Sequence, residues 1–326
     1  MGSETSYPGV VPVSHPVEVR TKGRWVQIPA INVDGDILIT TGAWLRIAKI
    51  RGEELREGQI EDPELYVVAL RNDHDQVLKA DIFTFTEILT STQLRYSYPM
   101  EMESVAAIPL ITFREWWEGL PQETRKNVRR SQKRGVTIAV RELNGDVVEG
   151  IRAVNDDSPL RQGAKNAYYG LTSEETWKRY SEFNDRCDFV CAYSGKEMIG
   201  FLHLVYRVGA AAILNLTVKP SESDKRPANA LVAKAVEICE SRGISYIGYG
   251  LYNYGNKRDS PLREFKIRNG FKEILVPRYF VPITLWGKCC MSVKLHRGLI
   301  GILPSPFISA ATRARTLWFR RSHKPV

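Results

Sequence analysis

The order of apolar runs and chain breakers between residues 188 and 271 restricts the possible folds of this chain more than any other feature. Phe189-Val190-Cys191-Ala192-Tyr193 runs into Ser194-Gly195-Lys196-Glu197, with glycine at the permissive turn position, and residues 198–208 leave it as the second arm of a hairpin. A third run, 211–218 (AAILNLTV), is too short and too β-branched for a helix. After the loop 219–227, residues 228–242 place Leu231, Ala235, Ile238 and Cys239 at helical spacing, and Gly243 stops that helix. Residues 244–249 read as a strand and 261–268 as a short helix opened by Pro261 and ended at Gly270. Residues 272–283 read as a last strand pair interrupted by Pro277. Such an order builds a mixed, mostly antiparallel sheet that becomes parallel after the helical crossover.

The flanking segments extend the pattern. Residues 136–141 read as a strand, and 146–155 and 173–184 as helices, the second opened by Thr172 or Ser173 with Glu174 and Glu175 in its first turn. Between them, 156–171 is a polar, aromatic loop. Residues 106–111 read as a strand, followed by a strongly basic helical stretch, 113–134, broken at Pro121. Upstream, short apolar runs at 25–28, 36–39, 44–50, 66–70 and 82–85 are separated by turns such as Asp34-Gly35 and Asn72-Asp73. They indicate a small β-rich or α+β unit. The expected division is a flexible arm at 1–22, an N-terminal α+β unit at 23–105, the main domain at 106–288 and a basic amphipathic tail at 289–326.

Composition narrows the partners. The 326 residues exceed one average domain, and the formal net charge of +9 favours anionic ligands such as a nucleotide, RNA or a membrane surface. The five cysteines form no C-x-x-C pair, so free thiols are expected, and His203 stands near Cys187 and Cys191 at a spacing that matches no usual zinc set; no metal is expected. The N-terminus lacks a basic region followed by an apolar run, and no window reaches a spanning length. A cytoplasmic protein is the expectation, with peripheral contact to the inner face of a membrane through the tail, which combines Trp318 and Phe319 with five Arg and Lys from Arg313 onward.

The strand and helix order, with Gly270-Phe271 closing the last helix, resembles the GNAT superfamily of acyl-CoA N-acyltransferases. The words F-K-x-x-N-G-F at 265–271 and P-R-Y-F-V-P-I-T at 277–284 are similar to the end of Fem-type or GNAT-like acyltransferases. The segment 120–136, L-P-x-x-x-R-K-N-V-R-R-S-x-K-R-G-V, resembles the basic helix that precedes the first strand of Fem-like peptidyltransferases. The resemblance covers roughly 110–285 and implies an α+β, GNAT-like fold. The sheet is then mixed, mostly antiparallel and flanked by helices, and the activity N-acyl transfer from acyl-CoA to a primary amine, such as an amino sugar or another cell-envelope precursor, in a bacterial protein.

Within that resemblance Leu216, Thr217 and Val218 offer backbone groups to the carrier's pantetheine arm, and the next loop meets its pyrophosphate at a helix N-terminus. The loop reads Asp224-Lys225-Arg226-Pro227-Ala228-Asn229-Ala230, without the glycines of a typical CoA site, so Lys225, Arg226, Ala228 and Asn229 are the carrier candidates. Fem-type enzymes take aminoacyl-tRNA in place of CoA and also have an altered loop, which makes that the alternative donor. A non-catalytic scaffold that binds membranes or partners is a further alternative. Proton-transfer candidates are Tyr252 and Tyr254, each a general acid or a structural loop aromatic. Lys266 stabilises an oxyanion or a phosphate, or is a solvated helix lysine or ion-pair partner of Glu264, and Asn215 orients the acceptor or is a satisfied core amide. Arg161, Gln162, Tyr168 and Tyr169, in the loop that forms the acceptor side of a GNAT cleft, are the substrate candidates. Arg125, Lys126, Arg129, Arg130, Lys133 and Arg134 form either a solvated helix face or a phosphate-binding one.

Overall fold

The computed structural model describes residues 11–12, 16–21, 24–73, 77–89, 94–161, 164–253 and 260–298. The chain is a mixed α+β protein whose backbone clusters into two compact units: residues 1–103 with 275–304, and residues 104–274 with 305–326.

The first unit begins with β1 (Val11–Pro12), β2 (Val17–Thr21), β3 (Arg24–Ile28), β4 (Ala30–Val33), β5 (Asp36–Thr41) and β6 (Ile47–Ile50). β4 and β5 form a hairpin through Asp34-Gly35, both at positive φ (51° and 86°), the pairing that a two-residue loop of this twist requires. The apolar run around 66–70 is a helix, α1 (Pro63–Arg71), because Asp62 caps it by accepting from Glu64 N and Pro63 supplies its first residue. β7 (Ile82–Thr86) then runs parallel to β6. Tyr66, Val67 and Leu70 of α1 pack on Ile31, Leu38, Phe83 and Phe85.

The second unit opens inside β8 (Met100–Pro109), at Ser104, then α2 (Phe113–Gly119), α3 (Gln122–Lys133), β9 (Val136–Arg141), α4 (Gly145–Asn155), the small β10 (Leu160–Arg161) and β11 (Ala164–Lys165), and α5 (Ser173–Tyr180). It continues with β12 (Cys187–Ser194), β13 (Glu197–Arg207), β14 (Ala210–Val218), a 3-10 turn (Pro220–Lys225), α6 (Pro227–Ser241), β15 (Tyr246–Leu251) and α7 (Pro261–Arg268). The strand order is β8-β15-β14-β13-β12-β9, antiparallel throughout except for the parallel β14–β15 pair. Alternation along β12 sends Val190 and Ala192 to a core shared with α2, α3 and α6, and Phe189 and Cys191 to a second core shared with α4 and α5. Helices therefore cover both faces of this sheet.

Three expectations need correcting. The segment after 272 is one strand, β16 (Lys272–Pro282), in place of a pair broken at Pro277. The register of β16 with β7 begins at Arg278, so the missing Pro277 N–H interrupts no bond of that ladder, while the Pro277 carbonyl accepts from Glu87 N at 3.1 Å. From Leu275 onward this strand, with its P-R-Y-F-V-P-I-T word, belongs to the first unit, not to the domain drawn at 106–288. Arg278 is held there by Glu103 at 2.9 Å and by Glu53. The helix expected at 173–184 ends at Tyr180, although its start is as read, with Thr172 and Glu175 forming a complete capping box. The chain closes with α8 (Leu285–Ser292) in the first unit, whose Cys290 packs with Leu45 and Ile82. The basic tail expected at 289–326 lies outside the described residues from residue 299 on.

Candidate active site

β14 and β15 pair only over Ala210–Ala212 and Tyr246–Gly248, and then separate. A bulge drives this divergence: His203 faces Asn215 and Leu204 faces Ile213, so Leu214 is an extra residue in β14, which bends the strand. Beyond it the β15-facing edge of β14 is released from the ladder and borders a cleft of about 240 Å³. Leu216, Thr217 and Val218 form one wall, Tyr249 of β15 with Leu262 and Phe265 of α7 the other. Pro220 and Ala228 close one end, and Asn155, Ser158, Leu160, Arg161 and Asn166 come from the end of α4 and the loop that follows it.

That loop is fixed by one buried side chain. Asn166 Nδ2 donates to Asn155 O (2.9 Å) and Ser158 O (3.2 Å), its Oδ1 accepts from Tyr168 N (3.1 Å), and its own N–H donates to Pro159 O (2.8 Å). Every one of these bonds would have to break for the loop to move, so Arg161 is carried on a preorganised support. Arg161 Nη2 donates to the carbonyl of Leu216 at 2.9 Å, on the edge that β14 loses from its ladder. Among the described residues Arg161 is the only charged side chain lining the cleft, and no carboxylate of those residues lines it. Two buried polar atoms of the lining residues have no hydrogen-bond partner among the described residues: Asn155 Oδ1 and Thr217 Oγ1. A buried acceptor and a buried hydroxyl left open in this way are hydrogen-bonding capacity that a ligand can use.

Lys266 lies behind the cleft wall, fully buried on α7, and is not among its lining residues. Its ammonium donates to Tyr249 O at 2.6 Å and Leu251 O at 2.7 Å and stands 4.6 Å from the Tyr249 ring centre. It thus bonds the carbonyls of β15 just where that strand has left β14. Burial lowers its pKa from the usual 10.5 to about 8.

The carrier loop differs from a phosphate cradle. Pro227 occupies the first position of α6 and has no N–H, and Asn229 N donates to Arg226 O at 3.2 Å. Lys225 is held by Ser194 Oγ (2.9 Å) and Glu222 (2.5 Å), and Asn229 Nδ2 is bonded to Asn269 Oδ1 at 2.9 Å, tying α6 to α7. Arg226 is exposed at φ 59°. Of these four candidates, only Ala228 lines the cleft.

Among the remaining candidates, Leu216, Thr217, Val218 and Arg161 meet in the cleft. Tyr252 does not line it; its ring is buried in the core with Arg263 5.1 Å away, and its N–H donates to Ser104 O. Asn215 is half-buried opposite His203 and does not line it either. Tyr168 packs near Tyr180 (6.1 Å between rings) and Tyr169 is exposed, both outside the lining. Tyr254 and Gln162 fall outside the described residues. His203 is a packed histidine, stacked 4.5 Å from Phe189, with burial pushing its pKa down to about 4. The five cysteines are free, and no group of metal-ligating side chains occurs among the described residues. Asn155, Asn166, Tyr249 and Phe265 were not foreseen; each occupies an ordinary helix, loop or strand position in the sequence, and only the fold brings them together.

No family model matches the chain, and no curated protein matches it. Solved structures do. The C-terminal domain of a protein named as a lysylphosphatidylglycerol synthetase, from Agrobacterium fabrum, superposes with a TM-score of 0.53 at 13% identity, covering 82% of this chain and 87% of its own. A structure named L-PGS from Bacillus licheniformis gives 0.51 at 15% identity over 83% and 87%. FemX gives 0.49 at 11% identity over 82% and 88%. At these identities the likeness shows the fold alone: a mixed α+β, GNAT-like architecture shared with the two synthetase structures.

Proposed function

We propose that this protein is an acyl- or aminoacyltransferase whose reaction takes place in the cleft between β14 and β15. The observation that carries the reading is the parting of this parallel pair after three residues, which leaves an unladdered strand edge on a preorganised cleft. The amine nitrogen of an acceptor attacks the carbonyl carbon of a carrier ester or thioester, the carrier oxygen or sulfur leaves, and the proton lost by the amine passes to that leaving group. The free N–H groups of the Arg161 guanidinium and the Thr217 hydroxyl are the cleft's donors for the developing oxyanion. With Arg161 the only charge among the described lining residues, the slot suits an acceptor that carries an anionic group, consistent with a cell-envelope precursor.

Of the two donors, an aminoacyl ester on tRNA fits the surroundings better than acyl-CoA. At the N-terminus of α6 Pro227 has no N–H, Asn229 N is bonded to Arg226 O and Lys225 is held by Ser194 and Glu222, which leaves a poorer pyrophosphate seat than a glycine loop, with Arg226 its exposed cation. α3, by contrast, buries Thr124, Val128 and Ser131 and turns Lys126, Arg129, Arg130 and Lys133 outward. Arg134 is tied to Asp224, and Thr124 Oγ1 donates to Arg268 O at 2.9 Å, so this cationic helix is anchored at both ends beside the loop and helix that border the cleft. The acyl-CoA reading retains one favourable feature, the free edge of β14, to which a pantetheine arm can add.

The test is binding of a non-hydrolysable aminoacyl-tRNA at increasing salt. If three to five of the α3 cations neutralise phosphates, affinity falls roughly 40- to 500-fold between about 50 and 200 mM salt. In Lys126→Glu/Arg130→Glu that slope flattens. A salt-independent affinity, or an unchanged slope in the variant, removes α3 from the reading.

A further inference from the structure

Four strongly exposed apolar side chains of the first unit collect around α8. Leu285 is 84% exposed, Val293 63%, Trp44 58% and Trp286 49%. On α8 and its extension Leu285, Cys289 and Val293 recur every four residues and so share one face, while Gly287 and Cys290 are buried on the other. Trp286 stands beside that face with its ring edge-on to Trp44, 6.3 Å between centres, and its indole N–H donates to Trp44 O at 3.0 Å. Its polar atom is satisfied within the protein while the ring remains outside, so the two indoles are held in position facing solvent. Lys288 and Lys294 are exposed on the borders of the stripe.

We propose that this surface is a seat for an anionic lipid bilayer, with α8 lying in the plane of the interface. Charge selects this occupant. The sequence after Glu273 contains no Asp or Glu; of its Lys and Arg among the described residues, Arg278 and Arg297 are paired with glutamates of the first unit, and Lys288 and Lys294 are exposed at the stripe. Paired indoles with aliphatic neighbours, bordered by lysines, match the headgroup layer, where indole rings are favoured and anionic lipids attract basic side chains. No helix of the described residues is long and apolar enough to cross a membrane, so the contact is peripheral. The proposal moves the expected membrane contact from the tail to a built surface, and it stands independently of the transfer reaction.

The experiment is co-sedimentation of the full chain with vesicles of phosphatidylcholine alone and of phosphatidylcholine with about one-third phosphatidylglycerol. Tryptophan quenching by lipids brominated on the acyl chain is measured alongside. The expected result is binding to the anionic vesicles only, with a partition coefficient about tenfold or more lower in Leu285→Glu/Val293→Glu, and quenching that falls in Trp44→Phe/Trp286→Phe. Because Leu285 and Val293 are exposed, the first variant should keep the wild-type urea midpoint, which is checked in parallel. Three results overturn the proposal: equal binding by wild type and the Glu variant, which puts the contact elsewhere; equal binding to both vesicle types; or no quenching of Trp44 and Trp286, as when residues 299–326 or a protein partner cover the face.

Discussion

Replacing Lys266 with methionine should change how stability responds to pH. The wild-type amine has a pKa near 8 in the folded protein and about 10.5 when unfolded, so between those values the unfolded chain holds one more proton than the folded one. Stability therefore rises with pH across that window. The Lys266 contribution is fully present above the unfolded value and is lost as pH falls through about 8. Working through the two pKa values, the wild type gains roughly 2 kcal/mol from this group between about pH 7.5 and pH 9.5. Methionine keeps the length and apolar volume but neither titrates nor donates to Tyr249 O and Leu251 O, so the variant lacks that gain. Urea unfolding of both proteins at the two pH values measures it; every other titrating group is common to both and cancels in the comparison. Parallel pH dependences would refute the buried, depressed amine, and with it the idea that Lys266 is a neutralisable brace for β15.

Other changes test the cleft and its supports. Arg161→Ala should raise KM for the acceptor by about tenfold or more with little change in the urea midpoint, and Arg161→Lys should recover only part of the loss, because a lysine cannot both bond Leu216 O and present a planar fork; unchanged kinetics in steady-state assays would remove Arg161 from the site. Gly270→Ala should destabilise by about 1–3 kcal/mol, since φ is +82° and a Cβ there would stand 2.7 Å from Trp116 Nε1; a wild-type denaturation midpoint would contradict this. Thr217→Val, nearly isosteric, should leave stability unchanged or raise it, because the hydroxyl it removes is buried without a partner, and should reduce turnover if that hydroxyl serves the ligand.

The sequence revealed much of the second unit because each element there carries its own boundary signal. Gly195 marks the hairpin, Pro261 and Gly270 bracket α7, and Thr172 with Glu175 caps α5; these are local effects that tertiary packing did not override. The run at 66–70 shows the opposite case, where a short apolar stretch carries no period and only the Asp62-Pro63 start distinguishes helix from strand. Pro277 misled because its cost depends on which side of the strand carries the ladder at that residue, a fact of register and not of sequence. Of the cleft, the strand edge at Leu216, Thr217 and Val218 and the loop carrying Arg161 were legible from the order of elements. Asn155 and Asn166 were not, because an asparagine near a helix end or in a loop is an ordinary cap or turn residue. The carrier candidates Lys225 and Asn229 have the right chemistry, but local partners already use them: Ser194 and Glu222 hold one, Asn269 the other.

Acyl transfer in this cleft is proposed to proceed without a CoA pyrophosphate site at α6. It is tested most directly by incubating the full chain and an amine acceptor mixture with radiolabelled aminoacyl-tRNA or radiolabelled acetyl-CoA, and following label into amide products. Amide formation from the aminoacyl-tRNA is expected, lost in Arg161→Ala, and none from acetyl-CoA. Turnover with acetyl-CoA at micromolar concentrations would contradict the reading of the α6 N-terminus, and no product from either donor would contradict the assignment of transfer chemistry to the cleft.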